Sequence, residues 1–297
     1  MRQECRQLRL DELSASTGPA TSCAGCVGRC PSTAPRPLPR VDSLAAMERW
    51  LIIHGVDFSG ADSGGAHKIR IATRHGRQTP VQVERADRKG LLERIRAGVA
   101  DGRPHLWRID APMGLALPTI EEAGVKGWRG CAEWMAGFAG ARDWRSGLRT
   151  LTRQEPRRAC DHELRTPMPP TNLRVFKQTW TFVCEILVPL AQEGVRIEPV
   201  VAGAPGMQTV VCESCPASDL QRRGWPHKGY KGEGERPREV REEILSRAVR
   251  AGLVVPESIG EQAIADEEGD LLDALLLALE PAPTVAPKEA LVEGWVY

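Results

Sequence analysis

One stretch constrains this chain more than any other: Leu51–Gly65, LIIHGVDFSGADSGG. An apolar run reaches Val56 and stops at Asp57. A loop of small residues follows, and a second apolar run begins near Ile69. That pattern predicts a buried strand, a carboxylate at its tip and a tight return into a second strand. A carboxylate at the end of a buried strand is costly unless a cation meets it. The question for the rest of the chain is what else gathers there.

The pattern from Trp50 onward predicts strand, strand, strand, helix, strand. The strands are expected over 51–57, 67–73, 79–85 and 105–110, with a helix over 89–101 that aligns Leu91, Leu92, Ile95 and Val99. Short connections make the first three an antiparallel meander. The crossover helix lets the fourth strand lie parallel to the first. If those two are neighbours, Asp57 and Asp110 sit roughly 5 Å apart. Two carboxylates so placed need a proton or a divalent cation between them.

Residues 111–170 read as an irregular, Gly-, Arg- and Trp-rich insertion with one helix over 128–141. Arg145, Arg149, Arg153, Arg157, Arg158 and Arg165 make its end dense in base. Such a run is ordinarily a solvated surface; beside an acidic strand tip it is also a candidate grip on phosphate, with Arg157, Arg158 and Arg165 as substrate ligands. A long amphipathic helix is expected over 172–194, then strands over 195–201 and 208–213, the second ending in Glu213. Cys212 and Cys215 form a C-x2-C without a second pair nearby, weak ground for a metal–thiolate site. The loop 221–238 interleaves Arg222, Arg223, Lys228, Lys231, Arg236 and Arg238 with Trp225, His227 and Tyr230. That is equally the composition of a mobile surface loop and of a backbone-gripping, base-stacking element, in which Lys228 and Lys231 would touch substrate. A helix over 238–251 precedes the last large element, DEEGDLLDALLLALE (266–280), where Asp270 and Asp273 lie one turn apart on one face. Asp273 falls inside the leucine stretch, which a simple acidic helix start does not explain. The terminal EGWVY reads as a short edge strand.

Residues 1–46 differ in kind. They are rich in Ser, Thr, Pro and Arg and hold Cys5, Cys23, Cys26 and Cys30. A disordered or non-native extension is expected, with Met47 a candidate start. The alternative is a zinc knuckle built from the four thiols. Residues 47–297 are expected to form one domain. A formal net charge of +1 excludes global attraction to nucleic acid, so basic surfaces must be local. No apolar stretch is long enough to span a membrane, and nine cysteines without an export signal indicate the reducing cytoplasm.

The acids Asp57, Asp110, Glu213, Asp270 and Asp273 each end or interrupt an apolar element. Oxygen donors without His or Cys suit Mg²⁺ or Mn²⁺ and the one- or two-metal hydrolysis of phosphodiesters. The strand order resembles the RNase H-like fold: an α/β mixed sheet, three-strand antiparallel meander plus parallel strands, flanked by helices and carrying a helical insertion. DLLDALLLAL (270–279) resembles the last catalytic helix of RuvC-type resolvases. VDFSGA, IDAPMGL (109–115), RACD (158–161), VCESCPA (211–217) and GDLLDALLLAL together are similar to an uncharacterised domain family of RNase H-like nucleases, over about 50–297. The resemblance implies Asp57, Asp110, Glu213 and Asp273 as metal ligands and Asp270 as a neighbour or alternative, and it draws attention to Arg158 and Asp161. The chain departs from the family at Cys215, where a tyrosine is common, and at Gly269, where a histidine often stands. The expected function is a metal-dependent nuclease acting on DNA or RNA, with homodimerisation left open. Two alternatives are an actin-like ATPase or kinase, with 57–65 cradling a phosphate, and a non-catalytic binding protein that keeps the fold.

Overall fold

In this computed structural model the described residues are 52–63, 67–282 and 284–297. Leu51, part of the small-residue loop at 64–66 and the cysteines of the N-terminal segment lie outside them. The strands are β1 (Ile52–Asp57), β2 (Ile69–His75), β3 (Gln82–Ala86), β4 (His105–Asp110), β5 (Arg196–Glu198) and β6 (Thr209–Glu213). They form one mixed sheet in the order β3-β2-β1-β4-β6-β5. β1, β2 and β3 are the expected antiparallel meander; β4 lies parallel to β1, β6 to β4 and β5 to β6. The helix α1 (Arg88–Ala100) makes the crossover from β3 to β4. Its N-terminus is capped by Asp87, whose Oδ1 accepts from the Gly90 N–H at 2.7 Å.

The insertion after β4 is more helical than its composition suggests. It holds α2 (Leu117–Glu122), α3 (Gly127–Ala136), α4 (Ala141–Leu151) and α5 (Ala159–Glu163). Trp128, Met135, Trp144 and Leu148 from this segment are buried. The next long helix is three pieces: α6 (Phe176–Thr181), a π-helical turn (Phe182–Leu187) and α7 (Val188–Gln192). After β6 come α8 (Pro216–Arg222), α9 (Glu235–Arg250), α10 (Glu257–Ala265), α11 (Asp270–Leu277) and α12 (Ala290–Glu293). The C-terminal residues join the sheet at one point, where Val296 bridges Glu213 and the Tyr297 N–H donates to the Glu213 carbonyl at 2.9 Å. No helix among the described residues is long and apolar enough to cross a membrane.

Side chains alternate across the sheet and build two cores. On one face Val56, Trp107, Ile109 and Val211 pack with Leu91 and Ile95 of α1, the helices of the insertion and the π-helical turn. His54 and His105 bond to each other at 2.9 Å, and His105 bonds on to Asp101 at 3.0 Å. On the other face α11 lies directly on β1 and β2, with Leu272, Leu275 and Leu276 buried beside Ala72. Gly55 makes that approach feasible, since a Cβ there would stand 2.1 Å from the Ala274 carbonyl oxygen and 2.4 Å from the Ala278 nitrogen. The fully buried Arg108 closes the other end of α11, donating to the carbonyls of Leu277 (3.2 Å), Leu279 (2.9 Å) and Tyr297 (3.0 Å). Its charge meets buried Asp219 of α8 at 3.4 Å.

Because the obstructing atoms at Gly55 are backbone, Gly55→Ala must push α11 off the strand. The expected loss is at least the ~1–3 kcal/mol of an overpacked core, measured as a lower urea midpoint with an unchanged slope.

Candidate acidic site

The parallel register pairs Asp57 with Asp110 across β1 and β4, at the C-terminal ends of both strands. Each points to the face that α11 covers, because each stands two residues beyond a position already seen there: Gly55 and Arg108. Asp273, in the first turn of α11, arrives from above. One carboxylate oxygen from each of Asp57, Asp110 and Asp273 lies within 4.8 Å of the others. That is the spacing at which three carboxylates can share one cation. Asp270 sits one turn earlier and lines the same cleft.

Burial is the first influence on all three. It raises Asp57 well above the ordinary carboxylate range, reinforced by Asp273, Asp270 and Asp110. Asp110 is pushed up to about 8 by burial and then by Asp273. Asp273 is raised too, against the pull of Lys231 and two hydrogen bonds. Those bonds are specific: Lys231 Nζ lies 2.7 Å from Asp273 Oδ2, and the Tyr230 hydroxyl donates to Oδ1 at 2.9 Å. Tyr230 and Lys231 are held by buried Arg241, which donates to the Tyr230 carbonyl at 2.7 Å and the Gly232 carbonyl at 3.1 Å. The ring of Tyr230 therefore turns inward instead of offering a stacking surface. Neither Tyr230 nor Arg241 stands out in the sequence as part of an acidic centre.

The cleft above the triad has a volume of about 460 Å³. Lys68, Arg174, Lys177 and Lys231 line it together with Asp57, Asp110, Glu268 and Asp270. Lys177 is paired with Asp62 at 2.8 Å; Lys68 and Arg174 are exposed and have no ion pair among the described residues. Gln178 donates through Nε2 to the carbonyls of Asp110 and, at 3.1 Å, Phe58, so α6 clamps the two strand ends together. Gly60 is explained by the same packing: a Cβ there would meet the Gln178 nitrogen at 2.4 Å. That contact accounts for the glycine without a phosphate cradle.

Several expected site residues belong elsewhere. Glu213 does not join the triad. It pairs with Ile109, one residue short of Asp110, so strand alternation sends it to the opposite face. There its oxygens accept from Arg158 at 2.6 and 2.7 Å and from the Met113 N–H at 2.8 Å. Arg158 is buried between Glu213 and Asp161, which explains RACD as an internal ion-pair network; Arg158 and Glu213 line a smaller cavity that Asp110 also borders. Arg157 donates to the Thr166 carbonyl at 2.8 Å and the Pro167 carbonyl at 3.2 Å, tying down its own loop. Arg145 and Arg149 meet Glu155 at 3.3 and 2.6 Å. Arg165 and Lys228 are exposed and line no part of the cleft. Cys212 and Cys215 are buried free thiols.

The raised carboxyls make stability depend on pH. Groups whose folded pKa exceeds the unfolded value bind protons more tightly in the native state, so stability is lost as pH rises from the unfolded value, near 4, toward about 8 for Asp110. With divalent cations removed by chelation, the melting temperature is expected to fall between pH 5.5 and 8. Each unit of pKa shift retained is worth about 1.4 kcal/mol, or ~2–4 °C for a chain of this size. Asp110→Asn should flatten that slope, which calorimetry at several pH values checks.

Comparison of the chain with protein-family models, with curated proteins and with solved structures found no match.

Proposed function

We propose that this chain is a divalent-metal-dependent nuclease of RNase H-like fold that hydrolyses phosphodiester bonds of DNA or RNA. One observation carries the reading: two in-register strand-end aspartates and one helix aspartate converge within 4.8 Å under a cleft with a cationic wall. The donor set suits Mg²⁺ or Mn²⁺, being all oxygen and lacking His or Cys. The charge balance agrees, because among the described residues the three carboxylates have one ion-paired cation, Lys231, and a divalent cation would add two further positive charges. When bound, such an ion would polarise a phosphate oxygen and lower the pKa of a coordinated water. The chain's own groups do the rest. Asp57, Asp110 and Asp273 hold the ion, Tyr230 and Lys231 fix the orientation of Asp273, and Lys68 and Arg174 are placed to take non-bridging phosphate oxygens. Asp270 flanks the cluster from the cleft wall. The RNase H-like assignment draws support from the meander-plus-parallel strand order, the aspartate ending β1 and the acidic start of the last long helix.

The test is cleavage of end-labelled DNA and RNA with Mg²⁺ or Mn²⁺. Asp57→Asn and Asp273→Asn should each lower the rate by at least about a hundredfold, which corresponds to ~2.7 kcal/mol of lost transition-state stabilisation. Wild-type protein that cleaves neither polymer with either ion, or variants as active as wild type, would refute the proposal.

A further inference from the structure

A second cleft opens beside the triad, between the β2–β3 edge of the sheet and the helices α10 and α11. Its volume is about 540 Å³, and its wall includes Arg70, Val83, Glu84, Arg85, Gln262 and Asp266. Arg70 and Arg85 are direct partners across β2 and β3. Two like charges opposite one another on adjacent strands destabilise a sheet unless an anion lies between them. Neither arginine has an ion pair among the described residues, and Arg70 Nη1 is buried without a hydrogen-bond partner. Of the acids in the wall, Glu84 is paired with Arg94 at 2.5 Å, while Asp266 has no ion pair among the described residues and its Oδ2 accepts from the Leu271 N–H at 2.8 Å. Arg70 is also the β2 partner of Asp57, and it lines the second cleft.

The two clefts adjoin. Lys68 lines the first, and Arg70, two residues on and on the same face of β2, lines the second. Asp270 and Leu271 divide in the same way at the start of α11. We propose that Arg70 and Arg85 form a phosphate-binding subsite for a polynucleotide strand that continues away from the triad over the β2–β3 edge. This rests on the nuclease reading and narrows it: the substrate is a polymer with phosphates beyond the scissile one, not a free nucleotide. Guanidinium suits the task, since its fork binds two phosphate oxygens at once.

The test is binding without catalysis. A fluorescent single-stranded oligonucleotide of about 16 residues, DNA or RNA, is titrated in excess EDTA, and anisotropy is followed against salt concentration. Replacing both residues, Arg70→Gln with Arg85→Gln, should weaken binding at least tenfold. It should also reduce the slope of log K against log salt by about 1.4, since each phosphate that an arginine neutralises on a single strand adds ~0.7 to that slope. Arg70→Lys with Arg85→Lys should keep that slope while losing part of the affinity. A cooperative melting transition at or above the wild-type temperature in the glutamine variant shows that it is folded. Wild-type protein that binds no strand overturns the inference, as does an unaltered slope in the glutamine variant or equal displacement by polyglutamate. A protein that binds through these arginines but never cleaves with Mg²⁺ or Mn²⁺ would sink the nuclease reading and leave this subsite standing.

Discussion

Three carboxylates crowd together, Asp273 buried and Asp57 and Asp110 half-buried at the floor of a cleft, and one ammonium group, Lys231, is ion-paired to them. Isolated, each would cost several kcal/mol to bury as an anion. The residues around them make sense as answers to that cost. Lys231 and the Tyr230 hydroxyl occupy both oxygens of Asp273. Arg241 is buried in turn to hold the loop that carries them. Burial first, and then the neighbouring acids, hold Asp57 and Asp110 above the ordinary carboxylate range. A structure that keeps such a cluster has foregone stability at this point, as functional sites commonly do.

The backbone that brings the acids together is built around absence of bulk at one position and a buried cation at another. Gly55 lets α11 rest on β1 at backbone contact. Arg108, two pairing positions from Asp110, gathers the far end of that helix, α8 and the chain's last residue. Both lie on the acid-bearing face of the sheet, so the same alternation that aims the aspartates aims their supports.

Much of this is legible in the sequence. The apolar runs that stop at Asp57 and Asp110, the short meander and the crossover helix determine which strands are neighbours, and the sheet has that order. Asp273 announces itself by standing inside a leucine stretch. Glu213 shows the limit. An apolar run ending in an acid looks the same whichever way its last residue points, and a one-residue offset in register reverses the face. Arginine density misleads for a similar reason: composition cannot say that carbonyls and carboxylates of the same insertion will take up Arg157, or that Glu213 will take up Arg158. The helix α4 is hidden among its arginines, although Trp144 and Leu148 at a spacing of four mark its buried side.

The π-helical turn at Phe182–Leu187 has a consequence for how this molecule can vary. A π turn accommodates one residue more than an α turn, and each residue of an α-helix advances the spiral by about 100°. The turn therefore works as a phase shifter between two halves of one rod. At its end and beyond, Ile186, Leu187 and Leu190 keep their seats in the interior. Upstream, Gln178 meets the strand ends and Lys177 meets Asp62 of the loop after β1. Losing that extra residue would swing the clamp away while leaving the hydrophobic half in place, so the tool and its handle are separately adjustable.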